Sequence, residues 1–395
     1  AQTLGNGIAM LWKHYVYRRG DGVHNMWDRL FEDRPIRLLY IAGRGFDLRA
    51  QAVMKEFQQN RKSRGHHIEK AELLLVGFSG YELSEDLKRQ TEENAQALET
   101  LFKGTGPVRQ VSIESSAAGE DDISASNALR LSTAAVLKYV TDQTDVVLDI
   151  SSLPRVVYLA LMTGILDKLI PDKAAPDALV ARGVNFQVLV AEDAALDGKI
   201  RSEDPSNDLI VIPGFSSALH AESVQQWPMV WFPVLGENRV SQLQKVMVLA
   251  SIPADAEICP VVPHPSRDPR RADRLLMEYR RPLFEERETP VTSILYVHES
   301  QPFETYRQLF NAMSRYRNSM RIMGGCRLVM TPLASKLITL GAGLACFDVR
   351  PPGMDSGYGV AIPYAEPKRY VVSAEAFHES KPEISTLLLT GEAYK

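Results

Sequence analysis

Cysteine is scarce in this chain: Cys259, Cys326 and Cys346 are the three in 395 residues. None belongs to a C-x-x-C pair, which excludes a disulfide scaffold and argues against a cysteine-based zinc or redox site. So few cysteines, unpaired in this way, are typical of a reducing compartment. We therefore predict a cytoplasmic protein.

Long hydrophobic runs are also missing. The longest charge-free apolar run near the middle, Val156 to Leu166, has 11 residues, whereas a membrane-spanning helix needs roughly 20. The opening AQTLGNGIAMLWKHYVYRRG lacks a basic stretch followed by an apolar one, so we predict neither a secretory signal nor a membrane partner.

The chain has no large surplus of charge of either sign. Lysine and arginine number 45 against 49 acidic residues, a formal net charge of −4, which argues against duplex DNA as a partner. Hydrophobic residues at 45% and charged residues at 24% exclude disordered and fibrous classes. A length of 395 residues favours two or three domains.

Short aliphatic runs alternate with amphipathic stretches of helical length, a pattern typical of parallel strands joined by crossover helices. We predict an α/β protein of two tandem Rossmann-like lobes, each a mostly parallel sheet covered by helices on both faces. The predicted parts are an N-terminal helical segment at 1–34, a first lobe at 35–210 and a second at 211–395. Strands are predicted at 36–42, 72–76, 108–113, 146–150, 186–190, 230–234, 257–262, 293–297 and 326–330.

Ligands of open parallel sheets bind beyond the carboxyl ends of the strands, so the strand-end turns are the candidate sites. The first, YIAGRGFDLRA, supplies Gly43, Arg44, Gly45 and Asp47, and closely spaced glycines let a backbone curl around a phosphate or ribose. The alternative is a tight turn in which Asp47 caps the helix and Arg49 is solvated.

This string also resembles the G-x-G-F-D-x-R turn of carboxyl methyltransferases that use S-adenosylmethionine. The resemblance implies an acidic residue at the end of the second strand to hold ribose hydroxyls. This chain has Gly77, Phe78, Ser79 and Gly80 there. Ser79 remains a candidate ligand contact.

The turn DISSLPR places Ser151, Ser152 and Arg155 at a helix start. Hydroxyls, free amides and a guanidinium at a helix N-terminus predict an anion site. The alternative is that a serine caps a buried helix. Asp149 interrupts an apolar strand end and is a candidate catalytic carboxylate that needs a partner there.

The second half has a counterpart in VMTPLASKLITLGAGLACF, where Ser335 and Lys336 begin a helix. Neighbouring helical residues point about 100° apart, which disfavours a serine nucleophile with a lysine base and favours anion binding. The strand-end loops 261–273 and 296–307 add His264 and Arg267 as ligand contacts and His298 and Glu299 as catalytic candidates. Their spacing matches no metal motif, so no metal is predicted.

The first residues carry many aromatic side chains with mixed charges: Trp12, Tyr15, Tyr17, Trp27 and Phe31. An aromatic amphipathic segment packs against its own lobe or against a partner chain. We favour packing and keep a protein partner as the alternative.

Alternating strands with a strand, S-S-x-P-R, helix turn resemble the Rossmann-type sensor domains called CARF of bacterial defence systems, where cyclic oligonucleotides bind. The resemblance implies that Ser151, Ser152 and Arg155, with Ser335 and Lys336, grip phosphate. The family's Gly-Gly-Thr-Lys turn is absent.

We therefore expect a cytoplasmic sensor or assembly subunit, in an oligomer or complex, that binds a phosphate-bearing, nucleotide-like ligand; no other cofactor is assigned. The alternatives are a methyltransferase, a nucleotide-processing hydrolase and a scaffold subunit without a ligand.

Overall fold

Strands and helices alternate along the computed structural model, which describes residues 10–114, 124–197, 199–220, 222–352 and 357–395. Residues 115–123, which include most of the polar stretch ESSAAGEDD that follows the strand predicted at 108–113, lie outside these ranges. The strands are β1 (Val16–Arg19), β2 (Ile36–Arg44), β3 (Ile68–Phe78), β4 (Val108–Ile113), β5 (Asp145–Asp149), β6 (Asn185–Glu192), β7 (Arg201–Pro205), β8 (Ile210–Ser216), β9 (Met229–Val234), β10 (Glu257–Ile258), β11 (Val261–Pro263), β12 (Leu295–Val297), β13 (Cys326–Pro332), β14 (Tyr358–Tyr364), β15 (Pro367–Val371) and β16 (Glu383–Thr390). The α-helices are α1 (Asp21–Leu30), α2 (Arg49–Arg64), α3 (Glu85–Phe102), α4 (Ala125–Leu137), α5 (Arg155–Leu169), α6 (Ala194–Asp197), α7 (Ser217–His220), α8 (Val240–Leu249), α9 (Arg271–Glu278), α10 (Pro302–Ser319), α11 (Lys336–Val349) and α12 (Ala374–His378).

The first sheet has the order β1-β16-β6-β5-β2-β3-β4. The strands from β6 to β4 are parallel, whereas β16 runs antiparallel to β6 and β1 antiparallel to β16. The chain moves from β2 outward through β3 and β4, then returns to β5 on the other side of β2. The strand order therefore reverses between β2 and β5, which is the position where Rossmann-like sheets bind ligands.

The second sheet repeats this order as β12-β11-β9-β13-β14-β8, with the short β10 beside β9. Its strands are parallel except β8, which is antiparallel to β14. The reversal here falls between β9 and β13. The predicted fold class, two Rossmann-like lobes with mostly parallel sheets covered by helices, is confirmed.

Two segments pair with strands outside the parts of the fold in which they were predicted. Residues 383–390 were assigned to the second lobe, but β16 pairs with β6 in the first sheet. Residues 1–34 were expected to be helical, but β1 pairs with β16 before α1 begins. The reason is that β16, which is buried along nearly its whole length, forms hydrogen bonds with the edge of β6. This pairing joins distant parts of the chain, so local sequence does not encode it.

Two apolar helices, α5 and α11, join the lobes in one continuous hydrophobic core. A Cβ added to Gly343 of α11 would lie 2.7 Å from Cδ2 of Leu159 and 3.1 Å from Cε of Met162, both on α5. The absence of a side chain at Gly343 therefore allows this close contact. No helix within the described ranges is long and apolar enough to cross a membrane.

The aromatic side chains near the start of the chain pack inside the molecule. Trp12 is 1% exposed, and its indole Nε1 donates to the Leu389 carbonyl of β16 at 2.9 Å. Its ring also contacts Tyr306 of α10 and Phe347 of α11. Trp12 thus fastens the first sheet to helices of the second lobe.

The other aromatic residues of this segment are also occupied within the chain. Trp27 is fully buried, and Tyr15, which is 38% exposed, stacks on Phe303. This packing agrees with the favoured prediction that the segment packs against its own chain.

Candidate ligand-binding site

A cavity of about 510 Å³ lies where the carboxyl ends of both sheets meet. Its walls include the turns on either side of each reversal of strand order, namely 46–49 after β2, 151–155 after β5, 236–239 after β9 and 333–336 after β13. A volume of this size falls in the usual range for small-molecule sites. Each lobe therefore contributes its expected ligand-binding position to one shared cavity.

The glycines of the first turn serve its packing. A Cβ on Gly43 would lie 2.6 Å from Ser152 Oγ, and one on Gly45 would lie 2.8 Å from the Ser152 carbonyl oxygen. Neither glycine lines the cavity. The absence of a side chain at these two positions allows the turns after β2 and β5 to pack closely against each other.

Asp47 and Arg49 form a buried ion pair at the start of α2, with Nη2 and Oδ2 2.7 Å apart. Arg49 also pairs with Asp197 at 2.7 Å and is 4% exposed. Burial alone would raise the pKa of Asp47, but Arg49 and Lys336 hold it below its usual value. Asp47 Oδ1 also accepts the Arg49 backbone amide at 3.1 Å, so the expected cap at the start of α2 is present. The expectation that Arg49 is solvated was wrong, because its side chain is enclosed.

The serines after β5 are held by backbone groups. Ser152 Oγ donates to the Gly43 carbonyl at 2.7 Å, and Ser151 Oγ accepts from the Ala191 amide at 3.0 Å. Pro154 precedes α5, so the alternative of a serine cap was also wrong. Both residues border the cavity, but their hydroxyls hold neighbouring turns in place.

Asp149 is fully buried and does not line the cavity. It accepts the Ser151 amide at 2.9 Å and the Tyr40 hydroxyl at 3.1 Å, and burial raises its pKa to about 6. Its bonds fix the turn after β5. This enclosed position argues against a catalytic role.

Arg155 and Lys336 connect the lobes in reciprocal directions. Arg155 Nη2 donates to the Ala334 carbonyl at 2.6 Å and Nη1 to the Tyr364 hydroxyl at 2.8 Å. Lys336 Nζ donates in turn to the Ser151 carbonyl. The first residue of each central helix therefore binds the turn of the other lobe, and both side chains border the cavity.

The remaining predicted residues divide into two groups. Arg267, Ser335 and Glu299 line the cavity. Outside its lining lie Arg44, which pairs with Glu92, and Ser79, His264 and His298. Among the described residues, no group of three or more His, Cys, Asp or Glu could hold a metal.

Two cations lining the cavity stand out because no carboxylate lies within 4 Å of them in the described part of the chain: Arg155 and Arg239. Arg239 lies in the turn after β9, so the rule that ligands bind at strand ends could have identified it. Its guanidinium donates to Ser202 Oγ. The other cations of the lining are paired with acids: Arg19, Arg49, Arg267, Arg271, Arg274 and Lys336.

Aromatic side chains form another part of the wall: Phe46, Tyr81 and Tyr370. Tyr370 lies on β15, which pairs with β7 in a two-stranded ribbon. The ribbon touches the first lobe where the Glu82 amide donates to the Lys368 carbonyl at 2.7 Å, and the second where Gln242 Nε2 donates to Ser202 Oγ. Tyr370 was not predicted as a site residue, because candidate sites were sought at the ends of the parallel strands and the ribbon belongs to neither parallel sheet.

Several polar atoms of the lining are buried without a hydrogen-bond partner among the described residues: Arg19 Nε, Arg155 Nε, Tyr158 OH and Ser335 Oγ. Unpartnered buried polar groups are rare because they lose hydration without compensation. These four atoms give a polar ligand hydrogen-bonding positions in the cavity.

No protein-family model matches this sequence, and no curated protein is detectably similar to it.

Proposed function

We propose that the cavity between the lobes binds a phosphate-bearing, nucleotide-like ligand and that the protein acts as a sensor or as a subunit of a larger assembly. One observation carries this proposal: both reversals of strand order open onto the same cavity, which contains two guanidinium groups, of Arg155 and Arg239, that have no carboxylate within 4 Å among the described residues. Guanidinium groups match the geometry of phosphate oxygens.

The lining suits the two parts of a nucleotide. The starts of α5 and α11 supply backbone amides and positive helix-dipole ends, which favour anions. Phe46, Tyr81 and Tyr370 offer aromatic surface on which a base can stack.

A binding role is favoured over catalysis by the positions of the candidate residues. Asp149 and His298 are outside the cavity lining, and Glu299 inside it is committed to an ion pair with Arg271. In a sensor of this design, the ligand must contact residues that connect the two lobes, so that binding changes how the lobes pack. Arg155 and Lys336 meet this need, because each borders the cavity while binding the opposite lobe.

The resemblance to CARF sensors agrees with this role. A place in bacterial defence, a cytoplasmic location and membership of an oligomer or complex belong to the same proposal. The buried state of all three cysteines is compatible with a reducing compartment.

Thermal unfolding with a panel of ligands tests the proposal. The panel contains nucleoside mono- and triphosphates, cyclic oligonucleotides, S-adenosylmethionine and inorganic phosphate. We expect a nucleotide to raise the Tm and Arg239→Gln to weaken its binding at least about tenfold, since a charged hydrogen bond contributes about 1.5–3 kcal/mol. The matched control is Arg281→Gln, which removes the same charge from a side chain that is 80% exposed and pairs with Glu286.

Other outcomes would overturn the proposal. A shift with S-adenosylmethionine alone would indicate the methyltransferase alternative. No shift with any nucleotide, together with a stoichiometric partner in the purified protein, would indicate a scaffold. Equal weakening by Arg239→Gln and Arg281→Gln would place the ligand outside the cavity.

A further inference from the structure

Glu192, at the end of β6 in the first lobe, reaches the start of α11 in the second. Its Oε1 accepts the Leu337 backbone amide at 3.4 Å, and Leu337 is in the first turn of α11. A carboxylate of the chain therefore lies at a helix N-terminus that faces the proposed ligand cavity. This is the position where such helices bind phosphate.

A second observation indicates that this position accepts a ligand. Tyr158 of α5 is 1% exposed and lines the cavity, and its hydroxyl has no hydrogen-bond partner among the described residues. It lies near the side chains of Arg155 and of Thr339, which is also in the first turn of α11, but makes no hydrogen bond of normal geometry with either. Ser335 Oγ, immediately before this helix, is buried and equally without a partner in that part of the chain. These donors surround the helix start without being satisfied by Glu192.

Charges of both signs face Glu192. Arg19 at the end of β1 and Arg49 at the start of α2 are positive, and Lys336, next to Leu337 in the chain, lines the same cavity. Asp197 of α6 is negative, as is Glu383, the partner of Glu192 across the β6–β16 pair. The neutral hydroxyl of Tyr17 on β1 is the remaining titratable neighbour. Arg19 is paired with Glu383, and Arg49 with Asp47 and Asp197, so these cations place positive charge near Glu192 without forming an ion pair with it among the described residues.

The second lobe contains a corresponding carboxylate. Glu366 follows β14, the strand that occupies the place of β6 in the second sheet, and it interacts electrostatically with Arg155 at the start of α5. One of its oxygens, Oε2, is buried without a partner among the described residues. Each lobe thus directs an acid toward the central helix of the other.

We propose that Glu192 fills the anion position at the start of α11 and that a phosphate group of the ligand binds there only in exchange for this carboxylate. Glu192 would then determine the affinity and specificity of the site. The inference rests on the proposed function, because it assigns one phosphate position within the same cavity.

The exchange has an electrostatic consequence. Two anions at one helix start repel each other, so binding requires Glu192 to take up a proton or to move away. Burial, followed by the negative charge of Asp197, raises the pKa of Glu192 to about 7. Proton uptake therefore becomes easier as the pH falls below neutrality.

The test compares wild type with Glu192→Gln, which has nearly the same shape and keeps an oxygen for the Leu337 amide. Calorimetry measures the affinity for inorganic pyrophosphate, and for any nucleotide that stabilises wild type, at about pH 6 and about pH 8. If only the protonated form binds, the variant binds about tenfold more tightly near pH 8 and about equally near pH 6. Taking the ratio at each pH cancels the titration of the ligand itself.

Glu299→Gln is the matched control, because it removes the same charge from the same cavity lining but away from α11. A pH-independent gain that is equal in both variants would reduce the effect to net charge and overturn the inference. Weaker binding by Glu192→Gln would make Glu192 a ligand contact and would also overturn it. Failure of every phosphate compound to bind any of the three proteins would instead overturn the proposed function.

Discussion

Glu366 provides a direct test of how the buried acids affect stability. Its Oε1 accepts the Tyr81 hydroxyl, its Oε2 has no partner in the described residues, and the residue is 3% exposed. Burial raises its pKa from 4.5 to about 7, although Tyr81, Arg155 and Arg239 oppose the shift. The folded protein therefore holds this proton more tightly than the unfolded chain does.

The direction and size of the effect follow from this difference. A raised pKa in the fold stabilises the protein at low pH, and this contribution is lost as the pH rises through about 7. The full shift corresponds to about 3.4 kcal/mol, and about 2 kcal/mol of it is lost between about pH 5.5 and about pH 8. Glu366→Gln removes the titration, so its stability relative to wild type should rise by about that amount over the interval.

Urea unfolding at the two pH values measures the change. The control is Glu69→Gln, a side chain that is 54% exposed near Arg37, for which we expect the difference from wild type to be the same at both pH values within a few tenths of a kcal/mol. A difference for Glu366→Gln that stays constant from about pH 5.5 to about pH 8 would refute the reasoning. It would mean that Glu366 is ionised throughout and that the nearby guanidinium groups outweigh burial.

Three further substitutions test the packing that positions the site, each by urea unfolding. Trp12→Ala should lower the free energy of unfolding by about 3–5 kcal/mol because it leaves a cavity at a buried position between the lobes. Tyr15→Ala, at a partly exposed ring, should lower it clearly less. Equal losses of stability would contradict the assigned role of Trp12. Gly43→Ala should lower the free energy of unfolding by more than about 1 kcal/mol, since the added Cβ would lie 2.8 Å from the backbone carbonyl carbon of Ser152. Unchanged stability would show that the two turns can move apart. Arg155→Met should lower the free energy of unfolding by about 3 kcal/mol, because it removes two charged hydrogen bonds. A stability within about 0.5 kcal/mol of wild type would show that the lobes do not depend on this contact.

The parallel strands of both lobes could be predicted from local sequence. Strands buried on both faces are continuously apolar, and the predictions at 36–42, 108–113 and 326–330 fall within β2, β4 and β13. The crossover helices were equally clear from their length and pattern. Missing from the prediction were β1, β8, β14, β16 and the β7–β15 ribbon, whose placement depends on pairing with distant strands.

The sequence also indicated which turns would border a cavity, because strand ends and helix starts determine where backbone amides are free. It could not indicate what each polar side chain would bind. Arg155 and Lys336 were expected at an anion site and do border the cavity, but their charged groups bind carbonyl oxygens of the opposite lobe. Such contacts join residues about half the chain apart.

By itself, then, the sequence determined two α/β units with polar turns at their strand ends, because hydrophobic periodicity and turn residues act over a few positions. Only the tertiary structure decided that both reversals of strand order face one cavity, that the last strand returns to the first sheet, and that Glu192 lies at the start of α11. These features depend on how α5 and α11 pack across the lobes. That packing is a property of surfaces brought together by folding.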